Sequence, residues 1–500
     1  MSPAIDMADL KRKSVRGGMV TFGAQGISIA IQLASTVTLA RLLSPDDYGV
    51  MAMVIAVTSF AGLFRDLGLS AAAIQKGTLT HAQMSNLFWL NVGMGILLTS
   101  ALAASSPLVA WFYGKPELIP LTLLLSTTFL IGSLGTQHGA LMQRELQFGR
   151  RAVTGIAGAL AGLGVSIILA LHGQGYWALA WGSITGGIVT TLLLFALSPF
   201  RPGLWTRGVG IRSMLKFGAN ITAFDFVNYF HRNLDNILIG KFWGADALGL
   251  YSRAYSLLML PINTLRGPIN AVGFPAMSRL QNQSDAFRDY YRKVTTFLAL
   301  VSMPFSAFLF VASKPVIVLA LGVQWIGIVP IFAILATVGF VQPVITLWGM
   351  VVLSRGMGKR YLQLGFFNAV CSIIGFSIGL HWGAIGVAAG YAVVTYITAY
   401  PILAWTFRGT PLCLKDFSTC IFRPFIASVI AVAGCRVWQP VWGELMPVQG
   451  LAVSAILFMT VYILAIWVLP GSKLDFELLK KITRQVTSIR GIKSCAGIRT

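Results

Sequence analysis

Apolar residues run through this chain in blocks of about 20, broken by short polar interruptions, from Gly17 to Pro470. A block of that length matches the hydrocarbon thickness a helix must cross, about 20 residues. Hydropathy predicts helices at about 17–39, 50–75, 87–112, 118–142, 152–172, 175–198, 214–240, 247–275, 295–313, 326–352, 361–380, 384–406, 421–439 and 449–469. In lipid each backbone polar group needs a partner within its own segment, so the spans are helical. The expectation is an all-α polytopic membrane protein with about 14 transmembrane helices.

Composition agrees. Residues of the set AVILMFWYC make up 56% of the 500 residues and charged residues 11%, against about 25% charged in a soluble domain. So few charges cannot cover a water-soluble surface. A formal net charge of +22 would suit nucleic-acid binding, but the basic residues sit in short loops and no basic folded domain remains to carry that role. The five cysteines form no CxxC and no even framework, which argues against zinc and structural disulfides. Lys11, Arg12, Lys13 and Arg16 precede the first apolar run, which exceeds a signal-peptide core and reads as a retained span.

The basic residues also orient the chain. With Met1 in the cytoplasm, inward segments hold 29 Lys and Arg, while the outward ones hold five, Arg41, Lys115, Lys241, Lys314 and Arg436. That asymmetry is a positive-inside signal with both termini cytoplasmic, the expected result of an even number of crossings.

A shift of 200 residues superposes two segments. Leu43-Ser44-Pro45-Asp46-Asp47-Tyr48-Gly49 falls on Trp243-Gly244-Ala245-Asp246-Ala247-Leu248-Gly249, and Arg41 falls on Lys241. Upstream, Gln25, Ser28, Gln32 and Ser35 fall on Asp225, Asn228, Arg232 and Asp235. Intervals of three and four place each set on one helix face. Small polar residues also bind helices to one another, and that reading stays open for the neutral first stripe. The copies start an even number of spans apart, so they share orientation, as in transporters built from parallel repeats. The resulting organisation is an N-terminal lobe of six helices at 1–200, a second lobe of six at 201–410, two further helices within 411–470 and a basic cytoplasmic tail at 471–500.

Seven ionisable residues fall inside the predicted spans: Arg65, Asp66, Asp225, Arg232, Asp235, Arg253 and Arg266. Each costs roughly 2.5–3.5 kcal/mol at a helix centre on insertion scales, so each calls for a wet cavity or a partner. Arg65 and Arg266 occupy near-equivalent repeat positions toward the inner half, while Arg253 lies nearer the outer end and Arg232 between them. A lumen lined by these arginines suits an anionic substrate, because guanidinium stays charged and grips phosphate or carboxylate bidentately. The alternatives pair Arg65 with a nearby Asp and Arg232 with Asp235, or let Arg253 reach the outer interface. Asp225, with Asp235, Asn228, Gln25 and Gln32 as further polar positions, is the candidate for coupling to H+ or Na+.

Other motifs carry little. Gly375-Phe376-Ser377-Ile378-Gly379 matches a nucleophile elbow but lies inside an apolar span. Gly155, Gly158, Gly162 and Gly164 read as a close helix-packing face. Gly356-Met357-Gly358-Lys359 lacks the rest of a phosphate-binding loop. His81 and His138 stand alone, and His231 shares the charged seventh span as a cavity-facing group or a proton relay. No cofactor, metal or catalytic constellation is called for.

Leu39-Ala40-Arg41-Leu42-Leu43-Ser44-Pro45-Asp46-Asp47-Tyr48-Gly49 and Phe64-Arg65-Asp66-Leu67-Gly68-Leu69 resemble the Wzx-type polysaccharide flippases of the MOP superfamily. Arg232-Asn233-Leu234-Asp235-Asn236-Ile237-Leu238-Ile239-Gly240-Lys241, Leu248 to Tyr255 and Phe274-Pro275-Ala276-Met277-Ser278-Arg279-Leu280 look like the branch of colanic-acid, amylovoran and succinoglycan exporters. The resemblance covers residues 10 to 470. It implies a bacterial inner-membrane protein that moves an undecaprenyl-pyrophosphate-linked oligosaccharide to the periplasmic leaflet by alternating access, driven by an ion gradient. Implied partners are the lipid-linked oligosaccharide, membrane lipids, and a polysaccharide polymerase with its export machinery. A multidrug cation antiporter and a lipid II flippase are rivals within the superfamily. A membrane O-antigen polymerase or ligase is the rival of another class, set aside because no outward segment is long enough to hold an acceptor sugar.

Overall fold

The computed structural model describes residues 7–70, 73, 79–210, 212–443 and 447–469, with side chains from Gly23 onward except at 211–232, 265, 268, 271, 272 and 439–447. Among the described residues the secondary structure is helical throughout. The helices are α1 Met7–Leu42, α2 Pro45–Gly62, α3 His81–Ala104, α4 Ser106–Tyr113, α5 Leu118–Arg144, α6 Phe148–Leu171 and α7 Tyr176–Leu197. They continue as α8 Arg212–Arg279, α9 Ser284–Val311, α10 Ser313–Ala320, α11 Ile328–Ile345, α12 Leu347–Ser354, α13 Gly358–Gly379, α14 Gly383–Phe407, α15 Leu414–Gly443 and α16 Pro447–Val468. Ten stretches among the described residues are long and apolar enough to cross a membrane, and two of them, Ile328–Ser354 and Gly358–Phe407, each contain two α-helices. The protein is an all-α, multi-pass membrane protein.

Local chemistry sets the helix limits. Ser44 accepts from the Asp47 amide at 3.2 Å while the Asp47 carboxylate accepts from the Ser44 amide at 2.9 Å, a capping box with Pro45 at the first helical position. At the corresponding place in the second copy Gly244 breaks α8 with φ 82°, a left-handed value that suits glycine. Equivalent positions thus end one helix and begin the next in both copies.

The chain forms two compact units, Met1–Ser252 and Arg253–Thr500. In the first, α3 packs on α5, α6 on α7 and α1 on α6. In the second, α9 packs on α11 and α15, α13 on α14, and α15 on α16. The second unit's core joins Phe287, Tyr291 and Met303 to Phe407, Phe458 and Tyr462, so the last two helices are docked by apolar burial. Arg288 Nε donates to both carboxylate oxygens of buried Asp416, at 2.8 and 2.9 Å, and ties the start of α15 to α9. Large apolar side chains also cover the outer surface: Trp111, Trp382 and Trp467 are about 70% exposed, which suits the membrane–water boundary.

The glycine-rich face of α6 is partly as expected. Gly158 and Gly162 meet α7, where an added Cβ would stand 2.7 Å from the Gly186 carbonyl and 2.6 Å from the Gly182 carbonyl. Gly155 and Gly164 face open space instead, because they lie on the other side of the helix. The α13–α14 pair repeats the device: Gly375 and Gly379 lie against the backbone of Gly390 and Gly386. The nucleophile-like string in α13 is therefore a helix-packing surface.

Candidate functional site

Charge within apolar helices is where a site is sought, because each such group must be compensated. Arg65 is not in a helix. The sequence placed it and Asp66 within a span at 50–75, but α2 stops at Gly62 and the chain turns through Leu67 and Gly68, at φ 46° and 65°. Hydropathy averages over that turn, while the amides of Leu63, Phe64 and Arg65 bond three residues back instead of four and the left-handed backbone at Leu67 and Gly68 keeps the helix from continuing. The Asp66 carboxylate accepts from the Ser70 amide at 3.1 Å and from its hydroxyl at 2.9 Å.

Arg65 is exposed and its guanidinium rests on α5. Nη1 lies 3.1 Å from where a Cβ on Gly132 would stand, so the missing side chain at 132 makes its seat. Among the described residues no carboxylate forms an ion pair with Arg65.

Asp225, Asn228, His231 and Arg232 have side chains outside the described residues, and their backbone belongs to α8. Asp235 is described and buried. Its Oδ2 accepts from the Tyr251 hydroxyl at 2.8 Å and its Oδ1 from the Asn236 amide at 2.8 Å. Residues 235 and 251 lie on opposite sides of Gly244, so this bond bridges the break in α8. Arg253 and Arg266 are half-buried on the arm after the break. At about 100° per residue they leave it on different sides, separated by about 20 Å along the axis. Gln25, Ser28 and Gln32 are exposed along α1, and Ser35 is half-buried.

Several polar positions are absent from the sequence reading. Tyr251 is fully buried against Asp235, which only the folding of α8 across Gly244 brings about. Asn91 on α3 and Gln137 on α5 are fully buried, and among the described residues neither side-chain amide has a hydrogen-bond partner. Gln342 donates to the Tyr391 hydroxyl at 2.9 Å, and the Tyr391 ring lies 6.3 Å from that of Tyr255. Tyrosines and amides are common on helices, so no pattern singled these out. His81 and His138, isolated in sequence, have neighbours in space: a His81 ring nitrogen lies 3.0 Å from the Arg201 carbonyl, and His138 is boxed by Phe88, Phe195 and Phe200.

A family profile described as polysaccharide biosynthesis protein matches residues 38–330. The chain belongs to that family. The matched stretch contains both repeat loops and all four arginines considered above. Among relatives of this polysaccharide biosynthesis protein is the lipopolysaccharide biosynthesis protein WzxC of Escherichia coli (strain K12), 28% identical over 430 residues, covering 84% of this chain and 86% of the relative. The teichuronic acid biosynthesis protein TuaB of Bacillus subtilis (strain 168) is 29% identical over 404 residues, covering 79% and 83%. The succinoglycan biosynthesis transport protein ExoT of Rhizobium meliloti (strain 1021) is 21% identical over 481 residues, covering 93% and 94%.

Solved structures identify the fold. The lipid II flippase MurJ in an inward closed conformation superposes with a TM-score of 0.72 at 13% identity, covering 90% of this chain and 98% of that one. An inward-facing multidrug resistance MATE family transporter of the MOP superfamily gives 0.62 at 15% identity, covering 76% and 93%. The family protein described here has the MurJ/MATE-like fold.

Proposed function

We propose that this chain is a bacterial inner-membrane flippase that moves an undecaprenyl-pyrophosphate-linked oligosaccharide from the cytoplasmic to the periplasmic leaflet, for exopolysaccharide or lipopolysaccharide synthesis. One observation carries the proposal: the family match spans the segment that holds Arg65, Arg232, Arg253 and Arg266. Guanidinium groups in such a segment suit a substrate whose polar end is a pyrophosphate or an acidic sugar. The exposed Arg65, seated on Gly132 and in no ion pair among the described residues, supports it.

The chain crosses the membrane fourteen times, as two lobes of six helices, 1–200 and 201–410, plus two more helices before a cytoplasmic tail. Arg65 and Arg266 hold the anionic group in the inward-open state, and rocking of one lobe against the other exposes it outward while the lipid tail stays in the bilayer. An H+ or Na+ gradient drives the cycle through Asp225 or Asp235. The buried Asp235 carboxylate, held by Tyr251 across a break in α8, supports its inclusion. The sequence relatives are named for polysaccharide synthesis, which favours a glycan substrate over the drug transport for which the MATE fold neighbour is named.

The test is surface-polysaccharide export in cells whose only copy is Arg65→Ala or Arg266→Ala, at wild-type membrane levels. Export is expected to fall in both. Unchanged export in both removes these arginines from the mechanism.

A further inference from the structure

Residues 198–210, between α7 and α8, form no helix, yet side chains satisfy much of their backbone. Phe200 is buried with Phe88, Val92 and Leu141 and fixes the start of the loop. Arg201 Nη1 donates to the carbonyls of Phe195, Ser198 and Phe200 at 2.9, 2.7 and 2.9 Å. From there the chain follows α3. A His81 ring nitrogen lies 3.0 Å from the Arg201 carbonyl. The Ser85 hydroxyl accepts from the Gly203 amide at 2.9 Å, and the Trp89 indole donates to the Gly203 carbonyl at 2.9 Å. Asn86 accepts from the Thr206 amide at 3.0 Å and donates to the Thr206 carbonyl at 2.6 Å. Gln83 donates to the Val209 carbonyl at 2.7 Å.

These bonds trace a dip. Ser85 and Trp89 stand about 6 and 12 Å beyond His81 along α3, at 1.5 Å per residue. The loop descends from His81 to Ser85 and Trp89 at Gly203, then climbs through Asn86 at Thr206 to Gln83 at Val209. Its turning point is therefore level with the start of the apolar run of α3, at residue 87. A loop in water satisfies its backbone with solvent, whereas one at the edge of lipid needs protein partners. Five α3 side chains committed to one loop's backbone fit the second setting. At the turning point Leu204 and Trp205 are 87% and 49% exposed, and Arg201 and Arg207 flank them, both exposed. An apolar tip between guanidinium groups matches the layering of a bilayer surface, acyl chains inside and phosphates outside. Positive charge there favours anionic headgroups.

We propose that residues 201–207 are a lipid-docking loop. Leu204 and Trp205 enter the acyl boundary of one leaflet, and Arg207 holds the phosphate of an anionic phospholipid. The positive-inside asymmetry assigns that leaflet to the cytoplasmic side. The proposal needs a chain that spans a membrane and is independent of what the chain transports.

The test uses the full chain with its five cysteines replaced, in phosphatidylcholine nanodiscs. A bimane label is placed at Trp205→Cys or, in a second protein, at Leu204→Cys, and the same label at the exposed Asn282→Cys is the aqueous reference. Lipid brominated high on its acyl chains is expected to quench both loop labels about threefold more than the reference, and aqueous iodide about threefold less. At equal bromine content, brominated phosphatidylglycerol is expected to quench the label at 205 about twofold more than brominated phosphatidylcholine. Arg207→Gln is expected to abolish that preference and to leave the protection from iodide intact. Loop labels that iodide reaches as freely as the reference overturn the proposal and mark the tip as a surface for a protein partner. Equal quenching by the two lipids, or a preference that survives Arg207→Gln, also overturns it.

Discussion

The Tyr251–Asp235 hydrogen bond joins two arms of one helix across a glycine break, which makes Tyr251→Phe an informative perturbation. The substitution keeps the ring, which is fully buried, and removes only the hydroxyl that donates to Asp235 Oδ2 at 2.8 Å. The Asn236 amide serves the other oxygen, Oδ1. A hydrogen bond to a charged group contributes about 1.5–3 kcal/mol net in a soluble protein, and bonds between membrane helices measure lower, about 0.6 on average and up to about 1.7. Because the carboxylate stays buried and loses its donor, the cost is expected at about 1–3 kcal/mol, or roughly 5- to 150-fold in the folded-to-unfolded ratio. Reversible unfolding in bilayers or mild detergent would read it. A double-mutant cycle with Asp235→Ala isolates the pair, with an expected coupling of about 1 kcal/mol. Additivity within about 0.3 kcal/mol would refute the bond as a stabilising link across the break.

Three further outcomes are expected. Gly162→Leu pushes α6 from the α7 backbone and is expected to destabilise by about 1–3 kcal/mol or more in thermal unfolding, whereas Gly164→Leu, which faces open space, is expected to be close to neutral. Gly132→Leu fills the seat of the Arg65 guanidinium and is expected to reduce export with little loss of melting temperature; normal export at normal abundance would show that the seat does not matter. Burial by itself would lower the pKa of the Lys115 ammonium, but its hydrogen bond to Glu117 and the charges of Asp46 and Glu117 outweigh that and raise it. A raised folded-state pKa stabilises below the ordinary lysine value and the effect disappears only as pH climbs through the raised one, so Lys115→Ala is expected to cost no more than about 1 kcal/mol, unchanged from about pH 6 to pH 9.

Particular residues show what could be read in advance. The 200-residue repeat was visible as matching residue types, and its two loops make reciprocal contacts in space. Arg65 was legible as a charge among apolar residues but not as a turn residue, because hydropathy sums over a window while Leu67 and Gly68 reverse the backbone locally. Gly158 and Gly162 were legible as packing positions, and their neighbours Gly155 and Gly164 shared the signal without the contact. Asp235 was found by its charge. Its partner was hidden, since helical spacing does not pair residues across a break at Gly244.

Sequence by itself determined the solvent of this protein and the helical character of its spans, because those follow from sums of transfer free energy along a line. Tertiary structure decided which charges are covered and which backbones touch. Arg288 meets Asp416 from 128 positions away, and Gly49 fits against the Ala245 carbonyl because glycine puts no side chain there. Such pairings depend on where two helices pass in three dimensions, and linear spacing holds no record of that.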